Sequence, residues 1–156
     1  MELRQLIRPF KEINQQVINL YLHLLSHQFD TKILDTSFYM TLQQQGWSGV
    51  KPWFRDHSSR RRVKPSTPAP SSESSNSIPC HVNGCHWVAV TRREVEGCVF
   101  FLYADDMNNP VTEAQVRATI SSSDPLIFPE TASWIPCHNY TYHPHSNECG
   151  IHTMLH

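Results

Sequence analysis

The stretch from His86 to Asp106, HWVAVTRREVEGCVFFLYADD, constrains this chain more than any other. Two runs rich in β-branched and aromatic residues flank a polar turn that ends in Gly97. That pattern reads as a β-hairpin. The second run, Val99 to Tyr103, is apolar throughout, which predicts a central strand covered on both faces, whereas the first alternates more. A sheet therefore has to form, and other elements have to cover it.

The covering elements precede it. Ile13, Val17, Ile18, Tyr21, Leu24 and Leu25 recur at three- and four-residue intervals, predicting an amphipathic helix over 14–26. In DTSFYMTLQQQG, Asp35 or Thr36 can cap a second short helix, Phe38 and Leu42 share a face, and Gly46 offers the left-handed stop. GVKPWFRD then places Pro52 as a first-turn residue and Trp53 and Phe54 as anchors of one further helical turn. Thr112 and Gln115 are spaced as a capping box opening a helix whose inner face includes Val116 and Ile120. SWIPCHNYTYHP reads as another short strand. Between these halves, residues 57–77 are rich in Ser, Pro and Arg and have almost nothing to bury, which predicts a disordered insertion. Its basic run, Arg60, Arg61, Arg62 and Lys64, reads as solvated loop charge before it reads as an acidic-partner contact or a nuclear address.

A length of 156 residues suits a single domain, 1–156. The formal net charge of −1 gives no global attraction to nucleic acid or to an anionic membrane. No apolar run is long enough to span a bilayer, and MELRQLIRPFKEINQQ lacks the apolar centre of a secretory signal, so an intracellular protein of nucleus or cytoplasm is expected. The five cysteines are an odd set without regular spacing, which suits a reducing compartment better than a disulfide framework.

One cysteine has a chemical context. Cys149 precedes GIHTMLH, a segment that can start a helix capped by Ser146 or Asn147, and a thiol at the positive end of a helix dipole favours its thiolate. A cysteine protease also needs an imidazole to take the thiol proton and a group to orient that imidazole. His86 starts one strand of the hairpin and Asp105 ends its partner, so antiparallel pairing returns Asp105 towards His86. The competing assignment is structural zinc, drawing ligands from Cys80, His81, Cys85, His86, Cys137, His138, His143, His145 and Cys149. Neither paired CxxC knuckles nor HExxH is present to support it.

The words around these residues resemble the ubiquitin-like-protein-specific cysteine proteases, the clan of the SUMO proteases and the adenovirus protease. INQQVINLYLHLL is similar to the opening helix, with Ile18, Asn19 and Tyr21 at the recognisable positions. FYMTLQQQGWSGVKPWFRD resembles the following tryptophan-containing segment, His86-Trp87 the pair carrying the base, YADD the strand end carrying the Asp, and ECG the nucleophile motif. The resemblance implies an α+β, papain-like cysteine protease fold in which N-terminal helices pack on a small, mainly antiparallel sheet and the nucleophile sits at a helix N-terminus. It also implies hydrolysis after a Gly-Gly-like C-terminal sequence of a ubiquitin-like modifier or polyprotein. Cys149 is then the nucleophile, His86 the base and acid, Asp105 its orienter ahead of Asp106, and Trp87 a wall of the tunnel for the glycine tail; no cofactor is required.

Three departures go with it. His143 stands six residues before Cys149, where the family usually has an oxyanion-stabilising Gln. KEINQQ replaces an acidic, Trp-containing phrase at the first helix, and only seven residues follow Cys149, so the domain reads as C-terminally incomplete. An inactive fragment that keeps a modifier-binding surface is the alternative within the family.

Overall fold

The computed structural model describes residues 15–28, 32–55 and 74–137. Within them the order of elements is α1 (Gln15–Gln28), β1 (Lys32–Ile33), α2 (Ser37–Val50), α3 (Pro52–Arg55), β2 (Ser74–Val82), β3 (His86–Val95), β4 (Cys98–Ala104), α4 (Pro110–Ser121) and β5 (Ser133–Pro136). The strands form one five-stranded sheet in the order β1-β2-β3-β4-β5. Its centre, β2-β3-β4, is an antiparallel meander, while β1 and β5 run parallel to their neighbours. The molecule is α+β, as its sequence predicts.

The predicted hairpin is β3-β4. Val95 pairs with Cys98, and the two residues between them, Glu96 and Gly97, have φ of 51° and 80°. Two left-handed residues in a two-residue loop match the twist of the flanking strands.

The distribution of cover differs from the expectation. The strand buried on both faces is the first half of β3, where His86 to Val90 are all buried; β4 alternates, with Phe101 and Tyr103 inside and Phe100 and Leu102 half-buried. Helix placement explains the reversal. On one face α1 supplies Ile18 and Leu22, which meet Trp87, with Ile33 against them. On the other, Val88 and Val90 join Phe38, Tyr39, Leu42, Ile78, Val116, Ile120 and Phe128 in the main core, to which α2 and α4 contribute. The face of α1 that packs is therefore that of Ile18 and Leu22. Leu24, expected on it, is 57% exposed, and Ile13 lies outside the described residues.

The N-terminal helices follow their punctuation. Of the two predicted caps for α2 it is Asp35 whose side chain acts: its Oδ1 accepts from the Ser37 N–H at 2.8 Å and from the Ser37 hydroxyl at 2.5 Å, while Thr36 makes no side-chain cap bond. Gly46 breaks the helix as expected, at φ 66° and ψ −165°, but a further turn carries α2 on to Val50. Trp47, Trp53 and Phe54 then pack around Phe38 and Phe128 with ring centroids 5.2–6.3 Å apart, so the predicted anchors do anchor. A Cβ at Gly46 would meet nothing within 4 Å, so the penalty for a side chain there is backbone strain alone. Gly46→Ala is expected to cost about 1–3 kcal/mol and lower the midpoint of thermal unfolding by about 2–12 °C; an unchanged midpoint would show that the break relaxes without strain.

Two further expectations are corrected. Helix α4 is not capped by a Thr112–Gln115 box: Asn109 caps it, its Oδ1 accepting from the Val111 N–H at 2.9 Å with Pro110 in the first turn, while Thr112 is buried with Val116 and Ile120. The span read as a disordered insertion also overlaps β2 from Ser74 to Ser77; the rest of it lies outside the described residues.

Candidate active site

The sheet brings two chemical groups together. Residue His86 opens β3, and β4 ends at Ala104, which pairs with Ala89, so the chain leaving β4 carries Asp105 towards the start of β3. The His86 Nε2 lies 2.7 Å from Asp105 Oδ1, and both residues are buried. A carboxylate only accepts, so in the neutral ring Nε2 carries the hydrogen and donates it. The basic nitrogen is then Nδ1.

Asp105 is held as firmly as it holds. Its Oδ1 also accepts from the Met107 N–H at 2.9 Å; its Oδ2 accepts from the Tyr103 hydroxyl and from the Asn109 N–H, each at 3.1 Å. The Asp105 carbonyl accepts from the Asn108 N–H, and Asn108 turns the chain at φ 47°. One end of this loop continues β4 and the other is the cap of α4, so two regular elements locate the carboxylate. Burial pushes the Asp105 carboxyl up, but the bond to His86, the two backbone N–H groups and the charge of His86 outweigh it, and the group lies below the ordinary carboxylate range. Burial, and then the adjacent charge of Asp105, push the Tyr103 phenol far above its ordinary value. Tyr103 therefore stays a donor.

Tyr103, near the end of β4, was not among the expected site residues, and strand alternation does not reach Asp105, which follows the last β4 residue, Ala104. The Met107 bond was legible, as the turn an Asp makes with the backbone N–H two residues on. Asp106, the second acid of YADD, lies with its Oδ1 3.8 Å from His86 Nε2.

Trp87 follows His86 and is buried against Ile18 and Leu22. Its ring stacks on His81 with centroids 4.4 Å apart, because β2-β3 pairing sets the two residues opposite each other. Residues His143 and Cys149 lie outside the described residues. Of the residues weighed as zinc ligands, Cys80 is fully buried in the core with its thiol directed at the Ile78 carbonyl, and burial pushes that thiol well up; Cys85 is exposed on the β2-β3 turn. Among the described residues, the group of ligand types that gathers is His86, Asp105 and Asp106. In it Nε2 is committed to a hydrogen bond, which suits proton transfer.

No protein-family model matches the sequence, and no curated protein matches it. Solved structures do match. The SUMO protease Ulp1, with its catalytic cysteine oxidised to a sulfonic acid, superposes with a TM-score of 0.69 at 15% identity over 97% of this chain and 67% of its own. The C-terminal Ulp1 protease domain in complex with Smt3, the yeast ortholog of SUMO, gives 0.62 at 15% identity over 94% of this chain and 64% of that one. Xanthomonas XopD, a ubiquitin-like protein protease, gives 0.54 at 12% identity, covering 91% and 76%. The fold is that of a Ulp1-like protease domain. This chain spans about two thirds of the length of the Ulp1 chains it resembles. The His86–Asp105 pair stands at one end of the β3-β4 hairpin, and the loop into α4 holds it.

Proposed function

We propose that this chain is a cysteine peptidase or isopeptidase that cleaves after the Gly-Gly-like C-terminal sequence of a ubiquitin-like modifier or polyprotein, with Cys149 as nucleophile, His86 as general base and acid, and Asp105 as its orienter. The observation that carries the proposal is the buried 2.7 Å bond between His86 and Asp105 within a Ulp1-like fold. A carboxylate held by three other donors and a ring it orients are what a thiol protease asks of its base.

The steps follow from the tautomer. Nδ1 takes the Cys149 proton, and Asp105 stabilises the imidazolium that forms. The thiolate attacks the substrate carbonyl carbon, opening its π bond to an oxyanion to which His143 donates a hydrogen bond. Collapse of that intermediate expels the amine, which takes its proton from the imidazolium, and leaves a thioester. The neutral ring then deprotonates a water that attacks the thioester, and collapse releases the carboxylate and the thiol. Trp87 walls the passage for the glycine tail, so selection there is steric. The protein substrate is the partner, neither membrane nor nucleic acid is required, and the place of action is nucleus or cytoplasm.

The test is intact mass after incubation with ubiquitin and SUMO-type modifiers bearing C-terminal electrophiles, for wild type and Cys149→Ala, with and without chelator. An adduct that Cys149→Ala abolishes is expected. Folded wild-type protein that forms none would sink the protease reading, and unfolding by chelator would favour structural zinc.

A further inference from the structure

Two carboxylates stand beside the base. The Asp106 Oδ1 lies 3.8 Å from His86 Nε2, and its side chain is 2% exposed against 8% for the imidazole. That separation is too long for a hydrogen bond. It is short for two charges, however, and little water reaches between them to screen the interaction. A carboxylate within about 4–6 Å of an imidazole favours the protonated ring.

The backbone explains how neighbouring residues reach one nitrogen. Successive side chains on a strand point to opposite faces, but β4 ends at Ala104, so Asp105 and Asp106 are released from that alternation. Asn108, at φ 47°, then turns the loop back onto the Asp105 carbonyl.

We propose that Asp106 is a second positioning residue for His86, its charge adding to that of Asp105 to hold the imidazolium, so that the protonated base persists to higher pH than one carboxylate would sustain. This rests on the reading of His86 as the base. Asp105 and Asp106 come from the loop after β4, the Tyr103 hydroxyl stands behind Asp105, and the charge of Glu113 on α4 reaches Tyr103 beyond it. From β2, His81 stacks on the neighbouring Trp87, and the mechanism brings Cys149 to the other ring nitrogen. Among the described residues, both aspartates bring a carboxylate oxygen within 4 Å of the ring nitrogen. For a thiol protease the protonated ring is half of the reactive thiolate–imidazolium pair, and Asp106 extends the alkaline side of its working range.

The experiment separates this role from the protease reading by avoiding turnover. In a Cys149→Ala background, the labelled His86 ring is titrated by NMR with Asp106 intact, with Asp106→Asn and with Asp106→Glu. The neutral variant is expected to lower the His86 titration midpoint by about one pH unit, and Asp106→Glu to keep it within a few tenths of the parent. Asp106→Ser is the second neutral variant should Asp106→Asn fail to fold. A His86 midpoint that stays in place in a folded neutral variant, even with a lower unfolding temperature, would assign Asp106 an ordinary structural role and overturn the proposal. In the Cys149-containing enzyme, the alkaline limb of the kcat/KM profile should move down with the NMR midpoint. An NMR shift without any turnover or probe adduct would defeat the protease reading alone, and turnover with an unmoved His86 midpoint would defeat the Asp106 role alone.

Discussion

His86→Gln is expected to lower kcat/KM by about 10³–10⁴-fold while leaving the fold intact. Glutamine suits this position because its amide can still donate to Asp105 Oδ1, so the buried carboxylate keeps a partner and the end of the sheet keeps its shape. What disappears is the lone pair on Nδ1. Without it no group takes the thiol proton, and the reactivity of Cys149 should return towards that of an ordinary thiol, with a midpoint near pH 8.5. Alkylation rate against pH reads this directly, and circular dichroism checks the fold. A variant that keeps more than about a tenth of wild-type turnover would remove His86 from the mechanism.

Asp105→Asn should act on both catalysis and stability. An amide cannot present acceptors on both sides of its carbon. Whichever oxygen becomes NH2 faces a backbone N–H, that of Met107 on one side or Asn109 on the other. If the NH2 takes the Oδ1 position it meets His86 as well as the Met107 N–H, so the ring must turn over its tautomer and the basic nitrogen points the wrong way. Turnover is expected to fall by about 10²–10⁴-fold, and the loss of charge-assisted bonds to cost about 2–4 kcal/mol at pH 7. The pH dependence has a definite sign. The carboxyl of Asp105 lies lower in the folded protein than its ordinary value near 3.9, so its contribution is fully present above about pH 4 and is lost as pH falls through the folded value. The gap between wild type and variant should be widest at neutral pH and narrow on acidification. Unfolding curves that stay equally separated from pH 7 down to pH 2 would contradict this account of Asp105.

How far the structure was legible depended on which residues carried the signal. Gly97 and the β-rich runs around it announced β3 and β4, and Gly46 announced the break in α2, because a left-handed residue leaves a local mark. β2 was missed for the converse reason. Its opening, Ser74 to Ser77, has the composition of a linker, and Pro79 argues against a strand. Pairing explains both: β3 covers the whole length of β2, whereas β1 pairs only with Asn76 and Ser77, so Pro79 lies past the last β1 contact. The Asn83-Gly84 pair, both left-handed, is the local mark of the turn between β2 and β3. The burial of β3 and β4 was reversed because strand composition does not say on which side a helix packs. At the site, His86 and Asp105 were readable from hairpin geometry, but the depth of support behind Asp105 depends on where the next helix begins, and Asn109 as its cap becomes evident only once the loop is seen to close.

The meander also has a consequence for how the molecule is made. His86 opens β3 and Asp105 directly follows β4, strands joined by a two-residue turn, so the two residues meet through local chain closure, an event of microseconds for an isolated hairpin. Docking β1 onto β2 is different, since it pairs Lys32 with Asn76 across a long stretch of intervening chain and must meet a larger loop-closure entropy. The His86–Asp105 pair should accordingly belong to the early part of the folding reaction, with the outer strands added to it. Protection of the β3 and β4 amides from hydrogen exchange before those of β1 would be the kinetic trace of that order.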